Sequence, residues 1–196
     1  MAIVVRPLTS ARWADLEALF SARGCSMARG CWCMYYRLRG KGVLTRPGDQ
    51  RGNRAKTALK SLARSDEPPG LIGYRGKTPV GWISLGPRPD FAKLEKSPVM
   101  KPVDDRPVWS IICFVVPSEY RNEGVARELL AGAIDYARRR GADVLEAYPI
   151  DKAQTSAADT SWFGSKRMFD AAGFQEVARR RPDRPVVRLA LLKSAR

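Results

Sequence analysis

The residues with the most specific chemistry stand between an apolar run and a helical pattern, in Arg121-Asn122-Glu123-Gly124-Val125-Ala126. The first turn of a helix carries backbone N–H groups without partners, and the helix dipole adds partial positive charge there, so such a turn suits a phosphate. Gly124 has no side chain to hold a ligand off the backbone, and Ala126 is small enough to continue the approach. Arg121 and Arg127 add cations on either side. The same glycine would also ease packing of a helix on a sheet, and spacing alone leaves both readings open. No Gly-Lys-Ser/Thr follows the turn, and the earlier glycines of a dinucleotide fingerprint are missing, so two common nucleotide motifs are excluded.

The chain has no histidine. That removes serine triads, cysteine–histidine dyads and every histidine-ligated zinc or iron site. Any general base is therefore a carboxylate or ordered water. Glu146 is one candidate, on the strand after the helix, although that position also fits a solvent-facing strand residue. Four cysteines occur, Cys25, Cys31, Cys33 and Cys113. The Cys31-x-Cys33 spacing is shorter than a Cys-x-x-Cys knuckle, so inert thiols are expected rather than a metal site. Without an imidazole to activate it, a nucleophilic cysteine is not expected either.

The elements that must position these residues follow from period and punctuation. Ile3–Val5 is a short β-branched run. Thr9 or Ser10 can cap a helix with apolar positions Trp13, Leu16, Leu19 and Phe20, ended by Gly24. Residues 25–39 show no clean period, residues 39–53 read as a Gly- and Arg-rich loop, and residues 54–63 as a short basic helix. Leu71–Tyr74 and Val80–Leu85 form a hairpin about Arg75-Gly76-Lys77. Val108–Val116 is the strongest strand, apolar on both faces as a central strand requires. Residues 120–140 make a helix with apolar positions Val125, Leu129, Leu130, Ala133, Ile134 and Ala137, capped by Gly141. Val144–Tyr148 then lies parallel to the central strand, because strand–helix–strand connections cross over. A short helix at 164–172 and two closing strands, Phe174–Ala178 and Val186–Leu192, complete the order. The class is α+β, a mixed and mostly antiparallel sheet with helices on its faces. One domain spans 1–196, with a helical region at 1–68 and the sheet core at 69–192.

Three segments in this order resemble the GNAT superfamily of N-acetyltransferases. Arg121 to Ala126 matches its Arg/Gln-x-x-Gly-x-Gly/Ala pattern in full. Met168-Phe169-Asp170-Ala171-Ala172-Gly173-Phe174 resembles its late helix ending in Gly-Phe, and Val80-Gly81-Trp82-Ile83 its early hairpin. The resemblance implies acetyl-CoA as co-substrate. Backbone groups of Phe114, Val115 and Val116 would pair with the pantetheine arm, and amides of Arg121, Asn122, Glu123, Gly124, Val125 and Ala126 would hold the pyrophosphate. It also implies a splayed parallel strand pair, 108–116 with 144–148, as the thioester cleft. An amine would attack that thioester directly, with no covalent enzyme adduct. One departure stands out. Phe169 occupies the position where many members carry the tyrosine that protonates the departing thiolate. Ser165, one turn earlier, and Tyr148, ending the neighbouring strand, are the remaining hydroxyl candidates for that acid.

The resemblance places residues 25–39 over the acceptor. The aromatic and sulfur-rich run Cys31-Trp32-Cys33-Met34-Tyr35-Tyr36 suits an apolar or planar acceptor, with Trp32 or Tyr35 reaching it, or else a core beneath a loop. Arg88 and the arginines at 29, 37, 39, 46, 51 and 54 suit an anionic acceptor or the cofactor's own phosphates.

Composition bounds the alternatives. The 196 residues carry a formal charge of +15, with an excess of +9 over residues 1–60, +1 over 61–120 and +5 over 121–196. That field favours polyanions. Arg37, Arg39, Lys41 and Arg46 beside Tyr35 and Tyr36 form the one cluster that suits RNA. An RNA-associated protein, one acylating aminoacyl-RNA in the reading that unites both ideas, and a catalytically silent acyl-CoA-binding module are therefore the alternatives. The acceptor classes are a small-molecule amine or a peptide, and edge strands of this fold permit a homodimer. No run approaches the roughly 18 apolar residues of a membrane span. Charges at Arg6, Arg12, Asp15 and Glu17 break up any signal-peptide core, so a reducing cytoplasm is the expected location.

Overall fold

The computed structural model describes residues 2–40, 50–151 and 162–191. A seven-stranded sheet has the order β1-β2-β3-β4-β5-β7-β6. Its strands are β1 (Ile3–Pro7), β2 (Gly70–Arg75), β3 (Thr78–Pro87), β4 (Trp109–Val115), β5 (Val144–Ala147), β6 (Gln175–Arg179) and β7 (Pro185–Ala190). All neighbours pair antiparallel except β4 and β5, which are parallel as the crossover requires.

Two helical layers cover the sheet. On one face lies α4 (Val125–Arg139), which buries Val125, Leu129, Leu130, Ala133, Tyr136 and Ala137 against β1, β2 and β3. The expected helix began at 120, but α4 starts at Val125, because Asn122 (φ 65°) and Gly124 (φ 82°) adopt left-handed conformations that no helix continues. On the other face lie α1 (Trp13–Ser21), α2 (Ser26–Cys31) and α3 (Gln50–Leu62). Their core joins Trp13, Leu16, Phe20, Trp32 and Leu59 to Trp82 of β3. Helix α1 does not use the expected Thr9 or Ser10 cap. A single 3₁₀ turn, Ser10–Arg12, precedes it, and neither side chain caps. Helix α2 was not legible from period, since it is only six residues long and ends at Trp32 in a left-handed conformation. The Gly- and Arg-rich loop expected at 39–53 falls largely outside the described residues, and α3 begins four residues before its expected start. A short α5 (Lys166–Ala171) precedes β6.

The geometry of β4 sets the site. Ser84 pairs with Cys113 and Leu85 with Ile111, so Ile112 is an extra residue that β3 does not match. Such a bulge bends the strand and re-aims its side chains. Ile111 and Phe114 consequently both join the α4-side core, although simple alternation would send them to opposite faces. The ladder with β5 covers only Trp109↔Leu145, Ser110↔Glu146 and Ile111↔Ala147. Beyond Ile111 the two strands part.

Gly81 of β3 lets α4 settle onto the sheet. A Cβ there would stand 2.7 Å from Val125 Cγ1 and 2.8 Å from Leu129 Cδ1, and β-branched Val125 has little freedom to yield. Gly81→Ala is expected to cost about 1–3 kcal/mol in urea unfolding, the range for overpacking a well-filled core.

Candidate active site

Where β4 and β5 separate, a cleft of about 1040 Å³ opens. Ile112 to Val116 line one side, and the turn from Tyr120 to Arg127 lines one end. Across from β4 lies the segment from Trp162 to Met168. It is held there because the chain after β5 bridges to it: Ile150 N donates to Gly164 O at 2.9 Å, and Lys166 N to Ile150 O at 2.9 Å. Cys31, Cys33, Tyr35, Tyr36, Trp162 and Phe163 form the other end.

The first end suits an anion. The amides of Gly124, Val125 and Ala126 find no backbone acceptor among the described residues, whereas those of Arg127 and Glu128 both donate to Gly124 O. A Cβ at Gly124 would meet nothing within 4 Å, so the space before these amides is open. Arg127 and Arg167 line the same end. Arg121 is used differently from the sequence expectation: its Nε donates to Val116 O at 3.1 Å and its Nη2 to Gly24 O at 2.8 Å. It ties the end of β4 to the loop after α1. Glu123 is held outward by Arg75 at 2.7 Å.

The other end is lined by aromatic rings and thiols. Burial pushes the Tyr36 hydroxyl up to about 12, so it stays protonated at neutral pH. Cys31 is raised by its hydrogen bond with Cys33 and by burial, and Cys33 by its hydrogen bond with Cys113 and by burial. Cys31 and Cys33 line the cleft as neutral, polarisable groups. Among the described residues no group of three cysteines or carboxylates is arranged to hold a metal ion.

The candidates named from sequence divide sharply by position. Phe114, Val115, Val116, Arg121, Asn122, Gly124, Val125, Ala126, Tyr35 and Ser165 all line the cleft. Ser165 caps α5, its Oγ accepting from Met168 N at 3.3 Å. Glu146, Tyr148 and Arg88 do not line it. They form a buried network on the β4–β5 ladder, with Glu146 opposite Ser110 and Tyr148 just past the last pair. Glu146 is fully buried and accepts from Arg88 Nη1 at 2.6 Å, Tyr148 Oη at 2.6 Å and Arg188 Nε at 2.8 Å. Ser110 Oγ lies 3.0 Å from Tyr148 Oη, and Arg188 reaches on to Asp104. Burial first, then the charge of Glu146, raises the Tyr148 hydroxyl well above its ordinary value. Alternation along β5 places Glu146 on a face that Ser110 and Tyr148 cover, so the solvent-facing alternative fails as well. Trp32 also stands apart from the cleft, stacked on Trp13 with centroids 5.7 Å apart and tilted on Phe20 at 5.2 Å. Arg37, counted with the basic cluster, is buried against Asp90 at 2.8 Å and lies 4.2 Å from the Phe91 centroid. Phe169 is buried between Phe114 and Phe174. Sequence reasoning missed Tyr36, Trp162 and Phe163 as a group. The adjacent aromatics after a Ser/Thr/Ala-rich stretch were the only signal for the second pair.

The strand pair thus parts beside a glycine turn, and one cleft runs from that turn to an aromatic end. Residues 36–159 match the model of the Acetyltransferase (GNAT) family, and the chain belongs to that family. Among solved structures, the chain resembles the Brucella melitensis ribosomal-protein-alanine N-acetyltransferase, with TM-score 0.55, 21% identity, and 96% of this chain and 99% of that one covered. It resembles the Salmonella typhimurium yncA protein with its cofactor acetyl-CoA, with TM-score 0.53, 19% identity, and 100% and 98% coverage. A third is the Thermoplasma acidophilum paia N-acetyltransferase in complex with coenzyme A, with TM-score 0.55, 12% identity, and 97% and 99% coverage. At these identities the likeness concerns the fold. No curated protein matches the sequence. No helix among the described residues is long and apolar enough to cross a membrane.

The network around Glu146 yields a stability prediction. Glu146→Ala leaves Arg88 and Arg188 without their shared carboxylate in a buried setting, which is expected to cost about 3–5 kcal/mol. Chemical denaturation should show that loss, with acetyl-CoA affinity of the remaining folded protein little changed.

Proposed function

We propose that the chain is an N-acetyltransferase that takes acetyl from acetyl-CoA and delivers it to an amine by direct attack on the thioester. The observation that carries this reading is the early end of the β4–β5 ladder beside the open amides at Gly124, in one continuous cleft. The residues present fit that co-substrate. The edge of β4 that β5 leaves unmatched past Ile111, along Phe114, Val115 and Val116, suits the amide-bearing pantetheine arm, which can bond to β4 as an added strand does. Amides of the 122–126 turn, with Arg127 and Arg167, suit the pyrophosphate. Acetyl-CoA supplies an activated carbonyl with a thiolate leaving group.

Within this reading the bulge at Ile112 turns backbone N–H groups of β4 toward the place where an oxyanion develops, which favours the tetrahedral transition state. Ser165 is assigned as proton donor to the departing sulfur. Its Oγ accepts the Met168 amide, so its own proton stays free for the cleft. Glu146 and Tyr148 are assigned a structural part, since the carboxylate and hydroxyl bond to each other and to arginines. The amine proton accordingly passes to water.

Titration calorimetry with acetyl-CoA is the first test. Micromolar binding is expected, and Gly124→Glu should weaken it at least 100-fold, since a carboxylate then stands before the anion-binding amides. Absence of binding by the folded wild type would overturn the reading. Ser165→Ala should lower kcat by about 10- to 100-fold, the lower range for loss of a general acid, with acetyl-CoA affinity retained.

A further inference from the structure

Four rings from two distant segments wall the end of the cleft where the acceptor would enter. Tyr35 and Tyr36 meet edge to face with centroids 4.9 Å apart, Tyr36 continues to Phe163 at 6.2 Å, and Phe163 to Trp162 at 6.3 Å. All four line the cleft. Two cations approach these rings without themselves lining it. Lys93 Nζ lies 3.9 Å from the Tyr35 centroid, and the Arg184 guanidinium carbon lies 4.1 Å from that of Phe163. Arg184 is 9% exposed, and its Nε has no hydrogen-bond partner among the described residues.

An aromatic face attracts a cation through its quadrupole. Once one cation occupies a ring, a second one brought to the opposite side meets a weakened quadrupole and a like charge. The thiols and the Tyr36 hydroxyl at this end are neutral, so they offer no compensating anion. Flat neutral rings, by contrast, gain from stacking and edge contacts with such a wall.

Resting on the acetyltransferase reading, we propose that the acceptor is a flat aromatic amine whose nitrogen is uncharged at neutral pH, an aniline-type amine, and that the cationic backing of the aromatic wall discriminates against alkylammonium and polycationic acceptors. An anilinium is acidic enough that its nitrogen lone pair is already free at pH 7, so no residue must remove a proton before attack. In the transfer, the amine nitrogen bonds to the acetyl carbon and the carbon–sulfur bond breaks. Sulfur keeps that electron pair, and the proton lost from nitrogen reaches solvent while the thiolate is protonated.

The isomers 4-methylaniline and benzylamine separate charge from shape, since both carry one ring and one amine. Each is titrated calorimetrically into protein already loaded with CoA, with spermidine as a polycationic probe. The expected result is at least tenfold tighter binding of 4-methylaniline than of either ammonium, and faster thiol release from acetyl-CoA with it at pH 7. Lys93→Glu, a surface change, should shrink that ratio at least threefold. Equal or tighter binding of benzylamine or spermidine overturns the proposal, as does failure of both isomers to bind CoA-loaded protein, or a ratio that Lys93→Glu leaves unchanged. Those results would leave the acetyltransferase reading standing, whereas failure to take up CoA at all would defeat both.

Discussion

Hydrogen bonding on the β3 side of β4 runs to Val115, while on the β5 side it stops at Ile111. This inequality creates the cleft. A strand inside a sheet ordinarily has its N–H and C=O groups matched on both edges, and unmatched ones in an apolar setting are costly. Here the unmatched stretch borders a cleft that a peptide-like arm can enter, so polarity missing from the fold becomes recognition in the proposed complex. The bulge at Ile112 belongs to the same device, because it bends β4 away from β5 where the ladder ends.

A ladder of only three pairs beside such an opening must itself be held together. Glu146 does this from β5, accepting bonds from Arg88 after β3, from Arg188 on β7 and from Tyr148 just beyond β5. The end of β3, β5 and β7 are thereby fastened at one carboxylate. A buried charge in such a place is tolerable only because both carboxylate oxygens are engaged. The same logic explains Arg121, which spends its guanidinium on Val116 O and Gly24 O and so fixes the turn whose amides are left open.

Much of this was legible in the sequence, and the failures have physical causes. The central strand, the glycine turn and the helix after it announce themselves through local patterns: an apolar run, a proline stop, a 3.6-residue period. Backbone positions follow from such patterns, which is why Phe114, Val115, Val116 and the glycine turn line one cleft. Side-chain sites depend on which way a strand faces and on partners far along the chain. Glu146 and Tyr148 were read as cleft residues from their strand and Arg88 from its charge, yet Arg188 and Ser110, neither suspected, join them in a buried network. Trp32 was drawn into the helical layer by Trp13, seen only in three dimensions. The bulge, which reverses facing along β4, leaves no mark in Ile111-Ile112-Cys113.

The division of labour between main chain and side chains has a consequence for how this protein can change. Open amides at residues 124–126 persist under almost any substitution that spares the glycine and avoids proline, so the donor half of the cleft is robust to mutation. The opposite end is written in four rings and their neighbours, borne on two segments that meet only in the folded molecule. A single replacement there alters shape and charge without touching the strands. One scaffold can thus keep its acyl donor through long divergence while the identity of what it acylates drifts, and a survey of natural variation should find the two halves of the cleft changing at different rates.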